Sequence, residues 1–109
     1  MAARSAPLAK ASNTSKAERA QDCHRLEQLP NIGAALAASL RRIGIERPSD
    51  LAGKDGFALY QQLCTVDGQR QDPCVLDTFL AITDFMQGAP AAPWWHYTAQ
   101  RKRRLKQVR

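Results

Sequence analysis

Apolar positions along the chain fall into helical patterns, with no segment alternating as a half-buried strand would. Ala20, Cys23, Leu26 and Leu29 follow Ser15-Lys16-Ala17-Glu18, which has the spacing of a capping box, and together they predict a first helix over 16–29. Pro30 ends it, because proline disfavours helical geometry in the residue before it. Leu36, Leu40 and Ile43 at i, i+4 and i+7 predict a second helix over 33–43, with Gly44 as its left-handed cap. Pro48-Ser49-Asp50-Leu51-Ala52-Gly53 suggests one short helical turn. Asp55 caps the next helix, in which Phe57, Tyr60 and Cys64 share a face with Leu63 beside them. Asp72-Pro73, an acid at the N-cap followed by proline at the first helical position, opens the most apolar helix. Val75, Leu76, Phe79, Leu80, Ile82 and Met86 mark it, and Gly88 stops it. The fold class is all-α.

After Gly88, Ala-Pro-Ala-Ala-Pro reads as an extended strap that delivers Trp94-Trp95-His96-Tyr97. These aromatics are expected to dock on the core as a lid, in preference to stacking on unpaired bases. Thr98 either caps a final basic helix or leads into a solvated tail. The organisation is a flexible leader over 1–14, a folded domain over 15–98 and a basic tail over 99–109.

At 109 residues the chain holds one domain, too small for a large cofactor-binding fold beside a substrate domain. Sixteen Lys and Arg against ten acids give a net charge of +6. Six of those cations and no acid fall in 101–109, so the rest of the chain is neutral overall. Nothing resembles a secretory signal or a membrane span. The odd count of three cysteines, with no C-x-x-C pair, argues for reduced thiols in a cytoplasm. Cys23, Cys64 and Cys74 are expected as small buried hydrophobes, although with His24 or His96 a zinc site can be imagined. No cofactor is implied. No Ser/His/Asp set, Lys-bearing glycine-rich loop or H-E-x-x-H is present, so no enzyme is expected.

The informative segment is Leu26-Glu27-Gln28-Leu29-Pro30-Asn31-Ile32-Gly33-Ala34-Ala35-Leu36-Ala37. Two helical patterns flank a turn over Pro30–Gly33, in which Asn31 and Gly33 tolerate positive φ and Ile32 tucks between the helices. The free amides of Gly33, Ala34 and Ala35 then face outward at a helix start, with no large side chain to block an anion. Arg41, Arg42 and Lys54 are candidate additional phosphate contacts. Arg101, Lys102, Arg103, Arg104 and Lys106 form the strongest electrostatic feature, suited to neutralising several phosphates.

This turn closely resembles the helix-hairpin-helix motif, whose usual sequence is Leu-Pro-Gly-Ile-Gly with an alanine four residues beyond, here Ala37. With Arg41-Arg42-Ile43-Gly44-Ile45, Asp50-Leu51-Ala52-Gly53, Leu59-Tyr60-Gln61-Gln62-Leu63-Cys64, Asp72-Pro73-Cys74-Val75-Leu76-Asp77 and Pro93-Trp94-Trp95, the chain resembles a bacterial pathogenicity-locus family. Some of its members are labelled mitomycin resistance. A looser similarity is to the C-terminal domain of the competence regulator TfoX. The resemblance implies a compact, SAM-like helix-hairpin-helix bundle of about five helices with a DNA-related role. It also implies that Gly53-Lys54-Asp55-Gly56 is a degenerate second hairpin, since it lacks the apolar residue between glycines and Asp55 would repel phosphate. Gly56 departs from the proline expected to open that helix. DNA glycosylases carry a similar hairpin with a carboxylate downstream, but Asp72, Asp77 and Asp84 are each expected as a cap or on a solvent face.

The expected function is a module binding duplex DNA backbone without sequence preference, weakly through the hairpin alone, in DNA repair, uptake or recombination. The rival is a protein-interaction adaptor or competence-type regulator with a purely structural hairpin. A thiol-based metal or redox sensor is a third reading. No membrane and no small-molecule substrate are expected as partners.

Overall fold

The computed structural model describes residues 16–107; the leader expected over 1–14 lies outside them, as do Ser15 of the capping box and Arg109. Among the described residues there are four α-helices: α1 (Ala34–Arg42), α2 (Gly56–Asp67), α3 (Pro73–Met86) and α4 (Thr98–Gln107). Four 3-10 turns accompany them, at Ala20–Asp22, Leu26–Gln28, Pro48–Leu51 and Trp94–Tyr97, and the described residues form no strand. The chain is all-α, with one α-helix fewer than the five expected.

The missing helix is the first. Residues 16–29 form two isolated 3-10 turns separated by extended backbone at Cys23 and Arg25. Ala20, Cys23, Leu26 and Leu29 recur every third residue, and at roughly 100° per residue Ala20 and Leu29 would lie on opposite faces of an α-helix. The segment instead lays Ala17, Cys23, Leu26 and Leu29 against the core one turn at a time. The Gln28 side chain draws the His24 and Arg25 amides away from any helical ladder, at 2.8 and 2.9 Å.

The later elements follow their local signals. Gly44, at φ +88°, closes α1 in a Schellman arrangement in which the Ile45 amide reaches the Leu40 carbonyl at 3.0 Å. The Asp55 carboxylate accepts the Ala58 amide at the start of α2, and Asp72 accepts the Cys74 amide ahead of Pro73 in α3. The centre of the molecule is α3, whose Leu76, Phe79, Ile82 and Phe85 are almost wholly buried between α2, α4 and the 94–97 turn. Gly56, where a proline was expected, meets a packing requirement. A Cβ there would lie 2.9 Å from the Phe79 carbonyl and the Leu80 amide, so only glycine lets α2 approach α3 so closely.

Residues 98–107, placed mainly in a basic tail on sequence grounds, form α4 and continue directly from the 94–97 turn. The helix is docked through charge. Asp77 of α3 is fully buried rather than on a cap or solvent face, and accepts from Arg101 Nε at 2.8 Å and Thr98 Oγ1 at 2.8 Å. Arg104 bonds Asp55 at 3.0 Å and lies over the Phe57 ring, 5.0 Å from its centroid. Among the described residues no helix is long and apolar enough to cross a membrane.

Candidate nucleic-acid interface

The hairpin turn is built by local hydrogen bonds. Leu29 accepts the Ile32 amide at 3.2 Å, and Asn31 between them takes the left-handed conformation at φ +70°. Leu29 and Ile32 are wholly buried, which anchors the turn from beneath. The Asn31 side chain, standing where the resemblance has a glycine, turns aside and donates to the Ala92 carbonyl of the strap at 2.9 Å. The Lys16 ammonium donates to the Glu27 and Ile32 carbonyls. Gly33 does not use positive φ: it is extended, at φ −101° and ψ −170°, and forms the N-cap of α1. A Cβ on it would meet nothing within 4 Å. The Gly33, Ala34 and Ala35 amides have no acceptor among the described residues, and all three residues are exposed. They present the positive end of α1 to solvent, and none of the three residues carries a side chain longer than a methyl group.

A second turn repeats this construction 22 residues further along. Asp50 takes the place of Gln28 and accepts the Glu46 and Arg47 amides at 2.9 and 3.2 Å. Leu51 accepts the Lys54 amide at 3.0 Å as Leu29 accepts that of Ile32, and Gly53 has φ +78° where Asn31 has +70°. The two differ at the anion position. Asp55 replaces Gly33, and its own carboxylate caps α2; Arg104 beside it holds that carboxyl below its ordinary pKa, so it stays charged. The second turn thus supplies its own anion, while the first leaves its amides open.

The candidate cations divide in two. Arg41 pairs with Glu27 at 3.4 Å, Arg42 with Asp67 at 2.9 Å, Arg101 with Asp77 and Arg104 with Asp55. Lys54, Lys102, Arg103 and Lys106 are exposed and make no ion pair among the described residues. Pro30 is buried in the turn, so its contribution is to shape. The aromatic cluster also divides: Tyr97 is buried and Trp94 half-buried, but Trp95 is 63% exposed and does not dock as a lid.

The thiols are unpaired. Cys23 is buried, and burial pushes its pKa up to about 11, while Cys64 and Cys74 are half-buried. Among the described residues no three His, Cys, Asp or Glu side chains gather as metal ligands would.

A family model described as Cdd1, Pathogenicity locus, matches residues 19–103. The chain belongs to the pathogenicity-locus family. Mitomycin resistance protein McrB of Streptomyces lavendulae is 45% identical to this pathogenicity-locus chain over 80 residues, covering 73% of the chain and 76% of that protein. No solved structure matches. The family match takes in both turns, the strap, Trp95 and α4 as far as Arg103.

Sequence reasoning missed the Lys16 bonds to the hairpin turn, the buried Asp77 and the side-chain locks at Gln28 and Asp50. The locks had a signal: Arg25-x-x-Gln28-Leu29 recurs as Arg47-x-x-Asp50-Leu51 at the same 22-residue offset. Lys16 and Asp77 had none, because their partners are distant in the chain.

Proposed function

We propose that this chain is a cytoplasmic, non-enzymatic module that binds duplex DNA through its backbone, without sequence preference, in DNA repair, uptake or recombination. The observation that carries the reading is the set of three open amides at Gly33–Ala35, on a turn braced by Lys16, Asn31 and Ile32. A phosphate oxygen fits such a terminus because fixed N–H dipoles converge there and no side chain must move. Lys54, Lys102, Arg103 and Lys106 supply long-range attraction, and each cation that neutralises a phosphate steepens the salt dependence. The four paired arginines already have acids beside them and add little.

The test is fluorescence anisotropy of a labelled duplex across salt concentrations. Wild type is compared with Gly33→Glu and with Lys102→Ala/Arg103→Ala/Lys106→Ala, each checked for folding by circular dichroism. Gly33→Glu is expected to weaken binding at least about tenfold, since it sets a carboxylate against the phosphate. The triple variant is expected to lower the slope of log K on log salt, by about 0.9 for each phosphate that is no longer neutralised. Binding that survives Gly33→Glu and vanishes in the triple variant contradicts the reading and favours an adaptor with a structural hairpin.

A further inference from the structure

Thr98–Gln107 and the 3-10 turn before it form one continuous helical run from Trp94, and its two faces differ in kind. The inward face carries Tyr97, Thr98, Arg101, Arg104 and Leu105, each buried or partly so. The outward face carries Trp95, Lys102, Arg103 and Lys106, all exposed, with Ala99 between. Ala99, Lys102, Arg103 and Lys106 fall at i, i+3, i+4 and i+7 of α4, so they form a single stripe, and Trp95 stands exposed in the 3-10 turn at the N-terminal end of that helix. One exposed indole precedes a row of three cations that make no ion pair among the described residues.

Trp95 is poorly explained as a core residue. Its neighbour Trp94 meets it edge-on, with ring centroids 5.5 Å apart at 86°, and 63% of the residue stays in solvent. The strap that leads to it is tied to the hairpin turn. Asn31 in the hairpin turn bonds the Ala92 carbonyl, and Trp95 follows Ala92 by three residues. Its Cα therefore lies within about 11 Å of that of Ala92 at 3.8 Å per residue.

We propose that Trp95 is a stacking platform for an unpaired DNA base, with Lys102, Arg103 and Lys106 following the strand's phosphates, so that the preferred ligand is a duplex with a single-stranded extension. An exposed aromatic beside a cationic track is the arrangement that single strands use, because every base offers a π-face and every nucleotide a charge. A duplex interior offers no open base face, so the indole is idle on blunt DNA. A partner protein with an apolar pocket would also cover an indole, but the three cations following it match a polyanion. The inference rests on the hairpin holding the duplex portion.

The test measures anisotropy of the full chain on two labelled DNAs, a blunt duplex and the same duplex with an eight-nucleotide thymidine extension. Wild type is expected to bind the extended DNA at least about fivefold tighter, from stacking of one base or more. Trp95→Ala is expected to bring extended DNA down to the blunt value and leave blunt binding unchanged, while Trp95→Phe retains part of the preference. Indole emission is expected to be quenched by the extended DNA and not by the blunt one. Equal wild-type affinity for both DNAs, or a preference that survives Trp95→Ala, overturns the stacking inference. A shift to a smaller species in sedimentation on Trp95→Ala overturns it in favour of an indole covered by a second copy. Failure of the hairpin reading looks different: Gly33→Glu then leaves blunt binding unchanged. Binding of neither DNA overturns both.

Discussion

Arg101 of α4 reaches Asp77 of α3 across 24 residues, Nε to Oδ1 at 2.8 Å, and the carboxylate it meets is wholly shut off from solvent. Thr98 donates to the second carboxylate oxygen at 2.8 Å. A carboxylate buried this completely is tolerable only while its partners remain, because desolvating an unpaired charge costs several kcal/mol. The basic C-terminal segment is therefore an integral wall of the domain, not an appendage.

Removing the arginine leaves that charge stranded. Arg101→Ala is expected to lose about 3–5 kcal/mol of stability, whereas Lys102→Ala one position along stays within about 0.5 kcal/mol of wild type. Adding Asp77→Leu to Arg101→Ala is expected to recover much of the loss, since an apolar side chain needs no partner. Urea denaturation of the four proteins decides it, and equal effects of Arg101→Ala and Lys102→Ala contradict the buried pair.

The two glycines that open α1 and α2 carry opposite demands. Gly56→Ala is expected to cost about 1–3 kcal/mol, because its methyl group meets the α3 backbone at 2.9 Å. Gly33→Ala has open space and ordinary φ, and the gain through the unfolded chain is offset by alanine being a poorer N-cap than glycine, so stability is expected to stay within about 0.5 kcal/mol of wild type. Thermal melts of both variants compare these outcomes directly.

Asn31 does two things that substitution separates. Asn31→Gly keeps the left-handed turn and loses only the bond to Ala92, while Asn31→Ala also strains φ, for about 1–2 kcal/mol more. The expected order of stability is Asn, then Gly, then Ala. An alanine variant as stable as the glycine variant would show that the turn does not hold positive φ.

Acid is expected to destabilise the fold through carboxylates that work as charged acceptors. The Glu46 and Arg47 amides hold the Asp50 carboxyl below its ordinary pKa; Arg104 does the same for Asp55, and Arg42 for Asp67. A carboxyl depressed in the folded state binds fewer protons there than in the unfolded chain. Its contribution is thus complete above the unfolded value near 3.9 and is lost as pH falls through the lower folded values. Urea midpoints are expected to be level from about pH 6 to 5 and to drop below about pH 4, less steeply in Asp50→Asn. Midpoints that rise on acidification contradict this.

The Pro30–Gly33 turn was legible because its chemistry is local. Pro30, Asn31, Ile32 and Gly33 specify a turn by themselves, and the Asp55 and Asp72-Pro73 starts are read within four residues. The first helix was misread because apolar residues at every third position suit both a loose helical pattern and successive 3-10 turns. Gln28, a side chain that competes for backbone amides, decides between them. The division of the α4 cations was not legible at all. Arg101 and Arg104 look like Lys102 and Arg103 until Asp77 and Asp55, 24 and 49 residues away, are brought beside them. Trp95 and Tyr97 were likewise equivalent in sequence, and only the packing of the 94–97 turn exposes one and buries the other.

The central claim is that the open amides at the start of α1 meet DNA phosphate, and amide chemical shifts report on those atoms. Nitrogen-15 labelled protein would be titrated with a short blunt duplex at low salt. The Gly33, Ala34 and Ala35 amides are expected to move most, with Asp55 and Gly56 of the self-capped second turn nearly still. Shifts confined to Lys102, Arg103 and Lys106, with the three hairpin amides unmoved at saturation, would contradict it.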